Sequence, residues 1–132
     1  MTVVADASVI VAALVDTGLD GRWAESFLTA DLAAPPLLTV EVANVLRRAV
    51  TAGDLTDDAA SLAHADLLDL RVQLIGYAVV GDRIWELRHN VSAYDAWYVA
   101  VAELLDAPLA TLDRRLVAAP GPRCAFRTRD AR

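Results

Sequence analysis

Four carboxylates sit where carboxylates are costly. Asp6 lies in Val3-Val4-Ala5-Asp6-Ala7-Ser8, and Glu41 in Leu38-Thr39-Val40-Glu41-Val42-Ala43-Asn44. Asp95 lies in Ala93-Tyr94-Asp95-Ala96-Trp97, and Asp113 in Leu109-Ala110-Thr111-Leu112-Asp113. An ionised acid among apolar neighbours destabilises the fold unless it is paired or holds a metal. Most of the other acids, out of 18 in all, fall at helix starts, in loops or on polar helix faces, where water solvates them. If the four converge, they repel one another, and the chain has no lysine to offset them, because all 12 of its basic residues are arginine. One or two divalent cations would relieve the repulsion. A donor set made of oxygen, with no matching His or Cys cluster, selects a hard ion such as Mg²⁺ or Mn²⁺. That chemistry suits phosphodiester hydrolysis, in which the ion activates water and stabilises the departing oxygen without any side-chain nucleophile.

Each acid also has a purely structural explanation. Asp6 can cap the helix that follows the first strand. Asp95 stands three residues after Ser92, as in a capping box. Glu41 is expected in the first turn of a helix, where the dipole favours an acid. Asp113 can mark a surface turn. All four explanations must hold together for the site to vanish.

The basic and aromatic residues are read the same way. Arg48 follows Glu41 by seven residues, which puts it, with Asn44, on nearly the same helical face. Arg114 and Arg115 follow Asp113 directly. These arginines are candidates for contact with a substrate phosphate, against the commoner alternative of a solvated arginine. Tyr94, Trp97 and Tyr98 can stack on bases, although their spacing with Val101 and Leu104 favours core or dimer packing. Trp85 is expected in the core. His64 and His89 lack partners for a metal site or triad. Cys124 reads as a small core hydrophobe, and as the single cysteine it excludes an intramolecular disulfide.

The missing lysine excludes more. A P-loop and Schiff-base catalysis both need one. Haloacid-dehalogenase-like phosphatases and receiver domains also place an Asp after their first strand, but both normally use a lysine. The net charge of −6 counts against a simple nucleic-acid binder. Bound cations, or arginines gathered on one face, would offset it.

The elements that must position these residues follow from periodicity and punctuation. Strands are expected at Val3–Ala5, Leu32–Ala34, Val72–Ile75 and Leu109–Leu112, with a last edge strand at Cys124–Arg127. Helices are expected at Ser8–Val15, Arg22–Ala30, from Thr39 as N-cap to Ala52 with Gly53 beyond, from Thr56 to about Asp69, from Asp82 to about Arg88, and from Ser92 to Leu105. Short apolar strands alternating with helices predict an α/β fold with a mostly parallel sheet, in which ligands gather at strand carboxyl ends. At 132 residues the chain fits one domain, spanning 1–132, with a frayed tail from about 129. No basic leader and no apolar run of about 18 residues are present, so the cytoplasm is the default expectation.

Four segments together resemble a known family. They are Val4-Ala5-Asp6-Ala7-Ser8, the run from Thr39 to Arg48, the run from Ala93 to Ala102, and Ala110-Thr111-Leu112-Asp113-Arg114-Arg115-Leu116. Each is weak alone. Their order, spacing and span resemble the PIN-domain ribonucleases, specifically the VapC toxins of type II toxin–antitoxin systems. The resemblance implies a three-layer α/β/α sandwich with a short central sheet. It implies metal-binding catalytic roles for Asp6, Glu41, Asp95 and Asp113, supporting hydroxyls at Ser8 and Thr111, and Mg²⁺ (or Mn²⁺) as cofactor. It further implies looped or structured RNA as substrate, for which Arg48, Arg114 and Arg115 are the candidate contacts read from their positions alone. The implied partners are a second copy in a homodimer and a VapB-like antitoxin, in a heterotetramer or larger assembly. Two alternatives stay open: a metal-dependent phosphatase of small phosphoesters, and a catalytically inactive interaction module of the same fold.

Overall fold

The first apolar run folds as β1 (Thr2–Ala5) and stops at Asp6, whose carboxylate caps α1 (Ala7–Val15). The structure, a computed structural model, describes residues 1–129. The expected frayed tail therefore falls almost entirely outside the described residues. α1 is nearly all apolar, and Val9, Ile10, Ala12 and Ala13 on it are buried. α2 (Leu19–Glu25) follows after Gly18. It begins earlier than the expected Arg22–Ala30 and also ends earlier, because Ser26, Phe27 and Leu28 leave the helix in i−3 turns. Trp23 and Phe27 still meet edge to face at 4.9 Å.

β2 (Asp31–Ala34) ends at the Pro35-Pro36 pair. α3 (Leu37–Thr51) starts directly after it, with Pro36 at the N-cap and no side-chain cap bond. Thr39 is thus inside the helix rather than its cap. A proline at a helix entrance has φ already fixed near the helical value and no N–H to leave unpaired, so it starts the helix without help. Gly53, with φ +80°, ends it as expected from the sequence. Thr56 caps α4 (Asp57–Asp69) by accepting the Ala59 N–H at 3.1 Å.

β3 (Val72–Leu74) leads to α5 (Tyr77–Glu86), which starts directly after its N-cap Gly76 rather than at Asp82. Its buried residues Val80 and Ile84, with Leu87 just beyond, form the core stripe. Trp85 falls one position off that stripe and is 64% exposed, which overturns its placement in the core. Instead the Arg88 guanidinium covers its ring at 4.6 Å. Ser92 caps α6 (Ala93–Leu105) by accepting the Asp95 N–H at 3.2 Å. β4 (Leu109–Ala110) is shorter than expected, and a helix not foreseen from the sequence, α7 (Arg114–Ala118), follows it. β5 (Phe126–Arg127) closes the described chain.

The strands form one sheet in the order β3-β2-β1-β4-β5, with every pairing parallel. Helices cover it as an α/β sandwich. α1 packs on α2, α3 and α4, while α5 packs on α6, and α6 lies across β1, β2 and β4. Val3, Val4, Val99, Val101 and Leu109 are fully buried between these layers. From β1 the chain adds β2 and β3 on one side, then returns to add β4 on the other. The carboxyl ends of β1 and β4 therefore form a topological switch point, the place where ligands bind in such sheets. Among the described residues no helix is long and apolar enough to cross a membrane.

One glycine is essential to this packing. A Cβ on Gly21 would lie 1.7 Å from the Asp16 carbonyl oxygen and 3.0 Å from that of Ala12, so α2 rests on the end of α1 only because residue 21 has no side chain. Gly21→Ala should destabilise the fold by about 1–3 kcal/mol or more, read as a lower urea midpoint with little change in slope.

Candidate active site

The two central strands bring Asp6 and the β4–α7 loop together. Asp6 is 9% exposed and Thr111 is fully buried; they are the buried polar residues among those described. A buried carboxylate needs donors, and each Asp6 oxygen has one short bond. The Ser8 hydroxyl donates to Oδ1 at 2.5 Å, and the Thr111 hydroxyl donates to Oδ2 at 2.5 Å. Both hydroxyls also accept from the loop beyond β4. Leu112 N–H donates to Ser8 Oγ at 3.1 Å, and Asp113 N–H donates to Thr111 Oγ1 at 2.9 Å. Asp6 is thus held by hydroxyls that are themselves aimed by backbone, which fixes its carboxylate without a cation of the protein's own. It also accepts the Val9 N–H at 3.3 Å, so it caps α1 as well. Capping and a place in the site do not exclude each other here.

Glu41 comes from α3 and Asp95 from α6. Because α3 begins at Leu37, Glu41 is past the first turn, where the structure has no acid. The helix dipole therefore does not explain it. The Tyr98 hydroxyl donates to Glu41 Oε1 at 2.6 Å, joining α6 to α3. Tyr98 stands three residues after Asp95, one turn along the same helical face, and is 2% exposed. Its sequence pattern points to packing or stacking and does not reveal this bond; its i,i+3 spacing from Asp95 is the available signal. Asp113 caps α7, accepting from Arg115 N–H at 3.0 Å and Leu116 N–H at 3.4 Å.

The acids sense one another. Burial raises the Asp6 pKa; the bonds from Ser8, Thr111 and Val9 hold it down, the Asp95 charge adds to the rise, and it stays above the ordinary aspartate range. Burial also raises Glu41, opposed by the Tyr98 bond and reinforced by the charges of Asp6 and Asp95. Burial and then Asp113 raise Asp95, opposed by Ser92 and by the Arg115 charge. The four carboxylates thus form one connected electrostatic set. They do not form a closed cage: among the described residues no three His, Cys, Asp or Glu converge tightly enough to hold an ion as they stand. The donor chemistry nevertheless fits Mg²⁺, which keeps several of its waters and takes only one or two protein carboxylates.

The arginines separate. Arg115 lies within electrostatic reach of Asp95. Arg114 is exposed and lines a neighbouring cleft with Thr111 and Leu112. Arg48 is exposed on α3 and is not among the charges that shift Asp6, Glu41 and Asp95. Asn44 is engaged by Arg47, which donates to its Oδ1 at 3.1 and 3.0 Å.

The raised carboxylates make a prediction for the protein without divalent ions. A carboxylate whose native pKa is raised binds its proton more tightly when folded, so its contribution to stability worsens as pH rises. The penalty from Asp6, Glu41 and Asp95 is absent below the ordinary values of 3.8 and 4.5, grows as pH climbs through their raised native values, and is complete above them. Glu103 acts oppositely. Burial alone would raise it, but its Arg83 bonds, the Arg123 N–H and the charges of both arginines lower it, so its contribution is lost as pH falls through its native value. A cation held by these acids would offset that penalty, so Mg²⁺ bound there would raise Tm at pH 7 and lose most of this effect near pH 4, measured by thermal melts across pH with and without EDTA.

Comparison with known proteins agrees with this architecture. The PIN-domain family profile matches residues 3–122. Ribonuclease VapC1 of Mycobacterium tuberculosis (strain ATCC 25618 / H37Rv) is 41% identical over 132 residues, covering 94% of this chain and 95% of that protein. The crystal structure of PAE2754 from Pyrobaculum aerophilum superposes with a TM-score of 0.69 at 23% identity, covering 96% of this chain and 89% of that one. VapBC2 from Rickettsia felis, solved bound to a DNA fragment from its promoter, superposes with a TM-score of 0.69 at 14% identity, covering 98% and 100%. The chain belongs to the PIN-domain family, within its VapC group.

Proposed function

We propose that this protein is a VapC-type toxin: an endoribonuclease that depends on Mg²⁺ or Mn²⁺, cuts structured or looped RNA, and is silenced by a VapB-type antitoxin. The observation that carries this reading is the buried Asp6 carboxylate at the switch point, fixed by two aimed hydroxyls and electrostatically joined to Glu41, Asp95 and Asp113. Those acids would hold the cation. When bound, a hard divalent ion supplies Lewis-acid chemistry and an activated water for attack on a phosphodiester.

The chain's own residues prepare that chemistry. Ser8 and Thr111 favour the ionised form of Asp6 against its burial and hold it in one rotamer, since their hydroxyls donate to the charged form. Tyr98 orients Glu41 and leaves its Oε2 for a ligand. Arg115 lies where it can meet the phosphate's negative charge beside Asp95. No activated Cys stands by as an alternative: burial, then the Glu103 charge, push Cys124 up to about 11, so it is a thiol at neutral pH. The 41% identity to a protein named as a ribonuclease supports RNA over other phosphodiesters. We also assign to this chain the homodimer and the antitoxin complex that the family resemblance implies.

The test is cleavage of total RNA by the purified protein with Mg²⁺ or with EDTA, followed by sequencing of the new ends, beside a generic phosphomonoester. Discrete new RNA ends that vanish in EDTA are expected. Phosphomonoester turnover without RNA cleavage would favour the phosphatase alternative. No turnover and no divalent binding would favour the inactive module.

A further inference from the structure

We propose that a small cleft beside the acids binds a second phosphate of the RNA strand, flanking the one that is cut. The proposal rests on the ribonuclease reading and extends it to how the strand is held. The cleft has a volume of about 130 Å³ and is lined by Asp20, Thr111, Leu112, Arg114, Thr128 and Arg129. That is small beside the ~300–1,000 Å³ of sites for whole small molecules, and it suits a single phosphate group. Its wall is shared with the active site: Thr111 holds Asp6, and the Leu112 N–H holds Ser8.

The charges of the cleft point the same way. The chain as a whole carries −6, yet among the described residues this spot gathers two arginines and the exposed Thr128 against one acid. Arg114 is exposed and forms no ion pair among the described residues. Arg129 is ion-paired with Asp20 across the cleft, which pins its guanidinium there. Guanidinium groups offer a planar fork of donors that matches phosphate oxygens. Arg114 and Arg115 diverge at the start of α7, one toward this cleft and the other toward Asp95. A strand crossing α7 meets both: Arg115 beside the reacting phosphate, Arg114 and Arg129 at a neighbour. Asp20 then acts as a resident competitor for Arg129, which limits binding of unsuitable anions.

The experiment is steady-state cleavage of a labelled oligoribonucleotide carrying the site mapped for the wild type, at several salt concentrations. Arg114→Gln and Arg129→Gln should each raise KM roughly three- to tenfold near 0.1 M salt, leave kcat unchanged, and flatten the slope of log kcat/KM against log salt by about 0.7. Arg71→Gln, at the opposite edge of the sheet, should change neither. Asp20→Asn should lower KM, and the gain should vanish in the Arg129→Gln background. Unchanged KM and slope in both arginine variants, in a wild type that cleaves RNA, would overturn the cleft alone. A fall in kcat without a change in KM would overturn it too, by placing Arg114 at the reacting phosphate. Competition by an acidic peptide that depends on both arginines, with RNA kinetics indifferent to them, would assign the cleft to a protein partner. A wild type that cuts no RNA would remove the ribonuclease reading and the cleft with it.

Discussion

Asp6→Asn should abolish RNA cleavage, lowering kcat/KM by at least about a thousand-fold, which corresponds to roughly 4 kcal/mol at 1.36 kcal/mol per tenfold. The fold survives the change. An Asn side-chain oxygen still accepts the Val9 N–H that caps α1. The Ser8 hydroxyl goes on donating to that same oxygen, and the Thr111 hydroxyl rotates to accept from the new amide N–H. What is lost is the charge at the centre of the acid set. In EDTA at pH 7 that charge is unfavourable, because burial and the neighbouring Asp95 oppose it. The variant should therefore melt a few degrees above the wild type without divalent ions, while being inactive with them. Thermal denaturation in EDTA and cleavage in Mg²⁺ give the two readings on one preparation. A variant that is inactive and also less stable would make Asp6 a structural residue.

Tyr98→Phe should lower divalent affinity and cleavage by about 10- to 100-fold, the usual cost of losing a group that orients a ligand. The phenol is 2% exposed and bonds to Glu41 at 2.6 Å. Burial, then Glu41 and the charges of Asp6 and Asp95, push its pKa far upward, so the hydroxyl remains a donor throughout the working pH range. Phe keeps the ring volume, and Glu41 is partly exposed, so water can replace the lost donor. The stability change should stay under about 1.5 kcal/mol. Binding of Mn²⁺ to the variant is the reading that separates positioning from packing. Full affinity together with a lower Tm would leave Tyr98 a core residue only.

The strands and most caps were legible because local chemistry fixes them. Thr56 and Ser92 cap the helices expected of them, and Pro35-Pro36 stops β2. The boundaries that moved did so for local reasons that pattern alone does not weigh. The prolines start α3 at Leu37, and this displaces Glu41 from the turn where a dipole would have excused it. α7 has five residues and little periodicity of its own; its signal was the Asp113 cap, which read equally well as a turn. Trp85 shows the limit of residue type as a guide to burial, since a one-position offset puts a tryptophan on the surface.

The candidate site was partly legible for a different reason. Acids in apolar settings are rare enough to notice, and the structure brings Asp6, Glu41, Asp95 and Asp113 into one electrostatic set. Contacts between distant segments were not legible. Tyr98 to Glu41 spans 57 positions and Thr111 to Asp6 spans 105, and nothing local marks either pairing. The arginines show the same limit: adjacent Arg114 and Arg115 diverge only once α7 is known to be a helix.

Calorimetric titration of Mn²⁺ into metal-free protein, in two buffers of different ionisation heat at mildly acidic pH, goes to the centre of the account. Saturable binding is predicted, with release of protons from the raised carboxylates and at least a tenfold weakening in Asp6→Asn. Absence of saturable binding up to millimolar Mn²⁺, or equal affinity in Asp6→Asn, would contradict it.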